Sequence, residues 1–572
     1  MIPRLLDSRW FWWGGSLVFA TVYSLQALNK AFDSQPIVQD DARQYLFWMF
    51  RFFDPDLFPN DLIADYFQSV TPDGYASLYR FAAWWGVSPL FLHKLLPLVL
   101  ALILTSYGFF LTLKIFPVPM AGFSAMLLLN QSLWFQDDLA SATPRAFVYP
   151  LFLAFLYYFL SQNLIGVLGA IALLGTFYPQ YVILSAFVLF FSILSIWRQK
   201  ITDRTVYFLP ILGGLICILI LLPYGLETSE FQPVMTRQQA LTLPEFFPEG
   251  RASFFFPNPI YFWLFAERSG LIPALMPPLI WLGLFLPALT RFPSQFPLLK
   301  KLKHTGILSQ VFLASLVCWL LAHLVLFRLH LPSRYTDHSV RMGMAIAGGM
   351  TVVILIHGGV SYVHQKHKQQ LQKLWRGGGS LLLVGLLILY PVFSSRFPMT
   401  NYRPVSAIAL YNFLKEQPQD SLIASLTAEA HYIPMFAQRS VLIGEEYAIP
   451  YHWGYYRQLR DRALNLIRAQ YTSEQEVLAQ FIKDYQIDFF LIEANSFTLE
   501  YLERDWLQQY PQATEKAVAN LEQGKTPALM KDQDRCAVFE HQQFTVVSAS
   551  CILEQADISV WESISIQQKN GL

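Results

Sequence analysis

Apolar residues fill the first two-thirds of the chain in blocks of roughly 15 to 23 residues, separated by short polar connections. A helix of that length crosses about 30 Å of hydrocarbon with its backbone groups bonded internally. The blocks predict spanning helices at 11–29, 95–113, 118–135, 146–162, 163–177, 181–197, 205–224, 271–289, 307–328, 341–360 and 379–395, about eleven in all. The division between 163–177 and 181–197 is the least distinct, because FYPQY (Phe177–Tyr181) reads either as an outer turn or as a kink in one bent helix. The first block follows a basic leader with Arg4 and Arg9 and runs into Lys30, Ala31, Phe32 and Asp33. With no small-residue cleavage site, it reads as a retained anchor.

Beyond residue 395 the pattern changes to that of a water-soluble domain. SLIASL (Ser421–Leu426), SVLIG (Ser440–Gly444) and DFFLIEA (Asp488–Ala494) predict buried strands, and amphipathic stretches at Val405–Glu416 and Ser473–Tyr485 predict helices between them. CAVFEHQQFTVVSASC (Cys536–Cys551) reads as a hairpin. The expected organisation is a polytopic α-helical membrane domain over 1–395, with a large first outer loop (30–94), and a soluble α/β domain over 396–572.

Composition agrees with a membrane protein. The 572 residues are 54% hydrophobic and 14% charged, against roughly a quarter charged in soluble chains. A net charge of +1 gives no global field to select nucleic acid. Local charge orients the chain, because cytoplasmic loops hold the excess Lys and Arg. With the N-terminus cytoplasmic, WRQKITDRT (Trp197–Thr205), KKLKH (Lys300–His304) and HQKHKQQLQKLWR (His364–Arg376) fall inside. The segment 30–94, the 136–147 loop, the 225–270 loop, His330–Ser339 and the domain after 395 fall outside. That arrangement suits a bacterial inner membrane. An extracytoplasmic domain would let Cys536 and Cys551 pair as a disulfide; two buried thiols are the alternative.

The acidic pairs all fall on the outer side. In VQDDARQYLFWMFRFF (Val38–Phe53), Asp40 and Asp41 stand before a run with Ala42, Tyr45, Leu46, Met49, Phe50 and Phe53 at helical spacing, the pattern of an interfacial helix. Its other face holds Phe47, Trp48 and Phe52 beside Arg43, Gln44 and Arg51, which predicts cover on both sides. Asp40 would serve as its N-cap, and capping alone is one sufficient reading. Capping needs one Asp, however, and Asp137 and Asp138 repeat the pair after another span. Two such pairs at one face could hold a divalent cation such as Mg or Mn, with Asp41 and Asp138 as ligands. They could equally set one carboxylate as general base, or simply be a solvated loop that avoids lipid. Arg145, Arg328, Arg334 and Arg341 lie on the same side, suited either to phosphate or to anchoring at head groups. Tyr335 and His338 lie between the last two as assisting groups, although a lone loop histidine is commonly just polar surface. Gly-rich phosphate loops, Gly-x-Ser-x-Gly, His-Glu-x-x-His and Cys-x-x-Cys are absent from the sequence.

This arrangement resembles the GT-C superfamily of polytopic glycosyltransferases, including protein O-mannosyltransferases and lipid A aminoarabinose transferases, over most of residues 1–395. Asp40 and Asp41 match the family's acidic motif after the first helix, and Asp137 or Asp138 its second acidic position. The resemblance implies transfer of a sugar from a polyprenyl-phosphate donor to a glycan, lipid or protein acceptor at the outer face. Asp40 would then be the base, Asp41 its orienting partner, and Arg145, Arg334 and Arg341 the phosphate contacts. The chain departs from the family in RSVLIGEEYAIPYHWGYYRQL (Arg439–Leu459). Two other classes compete: a transporter or handler of lipid-linked glycans, which needs broken helices or charges at mid-membrane, and a catalytically silent GT-C-like scaffold.

Overall fold

The computed structural model describes residues 8–33, 36–201, 203–226, 229–363 and 370–556, with backbone only at 226, 362–363 and 370–376. Arg4 and the first half of the basic 364–376 loop lie outside the described residues. The chain forms two compact units. One comprises Met1–Ala42, Pro72–Glu227 and Asn258–Arg403; the other comprises Arg43–Thr71, Thr228–Pro257 and Pro404–Leu572.

The first unit is helical: α1 (Arg9–Ala31), α2 (Asp73–Trp84), α3 (Pro89–Ile115), α4 (Pro119–Trp134), α5 (Val148–Leu160), α6 (Leu164–Phe177), α7 (Gln180–Arg198), α8 (Thr205–Leu226), α9 (Gly306–Leu324), α10 (Arg334–Val363) and α11 (Gln370–Leu389). Five of these, α3, α7, α8, α9 and α10, are long and apolar enough to cross a membrane. Local chemistry fixes several starts. The Ser88 hydroxyl accepts from Phe91 N–H at 3.3 Å, with Pro89 in the first turn, where its missing N–H costs nothing. Asn163 caps α6 through Gly166 N–H at 2.8 Å. FYPQY is a break between two helices, for α6 ends at Phe177 and α7 begins just after Pro179.

The 271–289 block does not form one α-helix. It has a 3-10 segment at Pro278–Phe285 and a single α turn at Leu286–Leu289, because Pro273, Pro277, Pro278 and Pro287 interrupt the i to i−4 ladder. Helix α4 lies at the core, every residue from Ala121 to Trp134 being buried. Against it runs α10, so close that a Cβ on Gly349 would stand 2.3 Å from the Ala125 nitrogen. This contact sets the C-terminal end of α4 and the N-terminal end of α10 side by side. The two ends carry Asp137 and Asp138, and Arg334 to Arg341. A short strand β1 (Ile37–Gln39) pairs with β2, which begins at Tyr402.

The second unit has a five-stranded mixed sheet of order β4-β3-β5-β7-β6. Strands β3 (Leu422–Ser425), β4 (Ser440–Val441) and β5 (Phe489–Glu493) run parallel. Strands β6 (Ala537–His541) and β7 (Phe544–Ser548) form an antiparallel hairpin on β5. Cys536 and Cys551 flank the hairpin with Cα atoms 5.5 Å apart and are joined as a disulfide. From Arg43 on, the aromatic run belongs to this unit; it lies in a five-residue α-helix, Ala42–Leu46, continued as a 3-10 segment, Phe47–Phe52. Phe47, Trp48 and Met49 are buried, with Phe47 against Phe58, Phe67 and Tyr447. The run's apolar residues are packed on more than one face, and its buried Arg43 is paired with Glu446, so the segment is a core element of this unit.

Candidate functional site

Five acidic residues and three arginines of the first unit form one cluster. The turn after β1 carries Asp40 and Asp41, and the turn after α4 carries Asp137 and Asp138. Arg145, on the 3-10 turn Pro144–Phe147, reaches across both. Its Nη2 donates to Asp137 Oδ1 at 2.9 Å and forms an ion pair with Asp41 Oδ2 at 2.6 Å, and its Nε lies 3.9 Å from Asp138 Oδ1. Arg341, 1% exposed, donates to Asp138 Oδ2 and, from the next turn of its own helix, to Asp337 Oδ1 at 2.6 Å. Four carboxylates thus share two guanidinium groups, and the cluster is net negative.

The carboxylates differ in what surrounds them. Burial pushes the Asp137 carboxyl above its ordinary range, with Arg145 pulling the other way. Burial would raise Asp138 too, but Arg341 and Arg145 hold its carboxyl well below the usual range. Asp138 is therefore a fixed anion. Asp137 is saturated, since its Oδ2 also accepts from Gln39 Nε2 and Asn401 Nδ2, each at 3.1 Å. Asp40 meets Arg403 through both oxygens, at 3.3 Å each, and the first helical amide, Ala42 N–H, goes to Gln39 Oε1 at 3.2 Å. Asp41, with its side chain 39% exposed, meets Arg145 through Oδ2, and its Oδ1 accepts no hydrogen bond among the described residues.

A second layer lies beneath. Tyr149 Oη is 2.8 Å from Asp138 Oδ2 and 2.7 Å from His338 Nδ1. An ionised Asp138 only accepts, so the phenolic proton points to it, and His338 carries its proton on Nδ1 to donate to the phenol oxygen. The buried Nε2 is then a lone pair with no partner among the described residues. Tyr335 does not join the cluster, because its hydroxyl donates to Leu329 O at 2.9 Å. Arg334, one turn before His338, has a guanidinium with no hydrogen bond or ion pair among the described residues. Beside it the Ser333 hydroxyl is buried and likewise unpartnered.

Asp138, Asp337 and His338 each place a ligand atom within 4.8 Å of the others, a donor set suited to a divalent cation. Arg341 bridges the two carboxylates of that set, and Arg145 stands between Asp41 and the second acidic pair. A cation at Asp138, Asp337 and His338 therefore competes with the Arg341 guanidinium. Arg341→Ala is expected to tighten Mn²⁺ binding by roughly tenfold or more, read by electron paramagnetic resonance of the purified protein; affinity unchanged from wild type would contradict this.

Sequence reading had singled out Asp40, Asp41, Asp137, Asp138, Arg145 and Arg341, and the structure brings them together. It missed Gln39, Tyr149, Asp337, Asn401 and Arg403. Asp337 was within reach, standing four residues before Arg341 on one helix face. Tyr149 lies in an apolar block and Asn401 in a connector, where no local pattern distinguishes them.

No family model and no curated protein matches the chain by sequence. Solved structures match by fold. The oligosaccharyltransferase of Archaeoglobus fulgidus, crystallised with a tethered acceptor peptide containing an NVT sequon, superposes with a TM-score of 0.52 at 11% identity, over 88% of this chain and 72% of that one. The same enzyme, AglB, in complex with an inhibitory peptide and a dolichol-phosphate gives 0.52 at 12% identity over the same shares. ArnT from Cupriavidus metallidurans bound to undecaprenyl phosphate gives 0.44 at 12% identity, over 94% and 98% of the two chains. At 11–12% identity the likeness shows the fold alone: this chain shares the fold of that oligosaccharyltransferase.

Proposed function

We propose that the protein transfers a sugar from a polyprenyl-phosphate donor to an acceptor at the outer face of the membrane, with Asp41 as general base. The observation that carries this reading is the uncommitted Asp41 oxygen, part-exposed at the rim of a cluster whose other carboxylates are already engaged. Arg145 orients Asp41 through its second oxygen. This reverses the roles expected from sequence for Asp40 and Asp41, because both oxygens of Asp40 already face Arg403.

In the transfer, the acceptor hydroxyl or amine gives its proton to Asp41 Oδ1 as its oxygen or nitrogen bonds the sugar's anomeric carbon. The bond from that carbon to the phosphate oxygen breaks, and the lipid phosphate leaves with the electron pair. A phosphate is a good leaving group and needs a cation more than an acid. Arg145 and Arg341 are committed to carboxylates, which leaves Arg334 to receive it. The guanidinium of Arg334 and the hydroxyl of Ser333 stand at the N-terminus of the 30-residue helix α10, whose first amides already donate to backbone carbonyls but whose dipole favours an anion. The fold it shares with an enzyme solved with dolichol-phosphate supports a lipid-phosphate ligand. On this reading the cluster faces away from the cytoplasm, as the basic inner loops suggest. A divalent cation is assigned no step.

Arg334→Gln is expected to weaken binding of undecaprenyl phosphate to the purified protein by roughly tenfold to a hundredfold, measured by native mass spectrometry. Binding equal to wild type would remove Arg334 from the donor site.

A further inference from the structure

The connector that follows α11 and the 3-10 turn Tyr390–Phe393 is built into the acidic cluster. Met399 N–H donates to Trp134 O at 2.8 Å, which pins the connector to the end of α4, three residues before Asp137. Two residues on, Asn401 adopts a left-handed backbone conformation with φ of +48°, one that Asn tolerates far better than most residues. Its carbonyl there accepts from Asp40 N–H at 3.1 Å, while its side-chain Nδ2 donates to Asp137 Oδ2 at 3.1 Å. Arg403, on the strand beside β1, sets Nε and Nη2 each 3.3 Å from the two oxygens of Asp40. One short stretch therefore touches both acidic turns, by backbone and by side chain.

We propose that Asn401 and Arg403 are positioning residues of the transferase site. Asn401 acts on Asp41 through Asp137 and Arg145, and Arg403 acts by holding the neighbouring Asp40. The proposal rests on the reading of Asp41 as base. Asn401 fixes Asp137, Asp137 fixes the Arg145 guanidinium at 2.9 Å, and Arg145 fixes Asp41 at 2.6 Å. Loss of the first link lets the last one wander, and a misplaced base costs rate more than binding. Asparagine suits the position twice over: glycine would keep the backbone conformation but lose the amide, and aspartate would set a further carboxylate against Asp137.

The test restores cells lacking the protein with wild type, Asn401→Gly, Arg403→Lys, Arg403→Gln or Asp41→Asn, and measures lipid-linked sugar and product glycan by mass spectrometry. Loss of one hydrogen bond to a charged group should lower product formation by about tenfold or more in Asn401→Gly. Undecaprenyl phosphate should bind that purified variant as it binds wild type, which a general loss of fold would not allow. Arg403→Lys should recover most of what Arg403→Gln loses. If Asn401→Gly and Arg403→Gln transfer like wild type while Asp41→Asn does not, the positioning role is overturned. If Asp41→Asn also transfers like wild type, the reading of Asp41 falls first, and this inference with it. Should Asn401→Gly lose lipid binding through misfolding, the Arg403 pair decides: equal product from the Lys and Gln variants overturns the role.

Discussion

Asp41→Asn is expected to lower transfer by about 10²- to 10⁴-fold, the usual contribution of a positioned general base, with the fold intact. An amide keeps the shape of the side chain and can still face Arg145, so the arrangement at 2.6 Å changes little. What disappears is the oxygen that takes the acceptor's proton. Binding of undecaprenyl phosphate should be unchanged, because that ligand is assigned to Arg334 and Ser333. Asp40→Asn should cost only about tenfold, because it weakens the pair with Arg403 and leaves the Asp41 oxygen in place. The order of the two effects carries the information: an Asp40 variant more damaged than the Asp41 variant would exchange their roles.

Glu446→Ala is expected to destabilise the second unit by about 3–5 kcal/mol, the range for removing one partner of a buried ion pair. Glu446 is 8% exposed and Arg43 4% exposed. Its Oε2 accepts from Arg43 Nη2 at 2.8 Å, and its Oε1 from Gln44 Nε2 at 2.6 Å and Arg251 Nη2 at 3.1 Å. Three separated stretches of sequence meet at this one carboxylate: the run after Asp41, the loop 228–257 and the EEY turn, Glu445–Tyr447. Removing it takes from Arg43 and Arg251 the carboxylate that faces both. Hydrogen exchange of the full-length protein in detergent should show lost protection in peptides covering 43–52 and 440–460. Wild-type protection in both would show that the surrounding packing, not the charge hub, holds the unit together. This hub also gives a physical role to part of Arg439–Leu459, the segment in which the sequence departs from the GT-C resemblance.

The apolar blocks revealed most of the helices because each is long, carries little charge and is bounded by Pro, Gly or charged residues. The same cue misled at 271–289, where composition is apolar but four prolines forbid a continuous helix. At Phe47–Phe52 the aromatic residues on both faces, which predict cover on both sides, go with burial of Phe47, Trp48 and Met49, though as a 3-10 segment rather than a continuous α-helix. Within the site, repetition of the acidic pair made Asp40, Asp41, Asp137 and Asp138 legible. Their division of labour was not, because it depends on which guanidinium each carboxylate meets. Arg145 and Arg341 looked like phosphate contacts beside Arg334 and proved to be engaged by carboxylates. Asn401 meets Asp137 across 264 positions of sequence, a separation that no local pattern reports.

The central claim is that a lipid-linked sugar is consumed at the acidic cluster, and mass spectrometry of lipid-linked sugars and surface glycans tests it most directly. Cells lacking the protein, restored with wild type or with Asp41→Asn, are compared. The expected result is that one polyprenyl-phosphate sugar accumulates and one surface sugar disappears in the null cells and in those carrying Asp41→Asn, with wild type reversing both. Identical lipid-linked and surface profiles in all three would contradict the account.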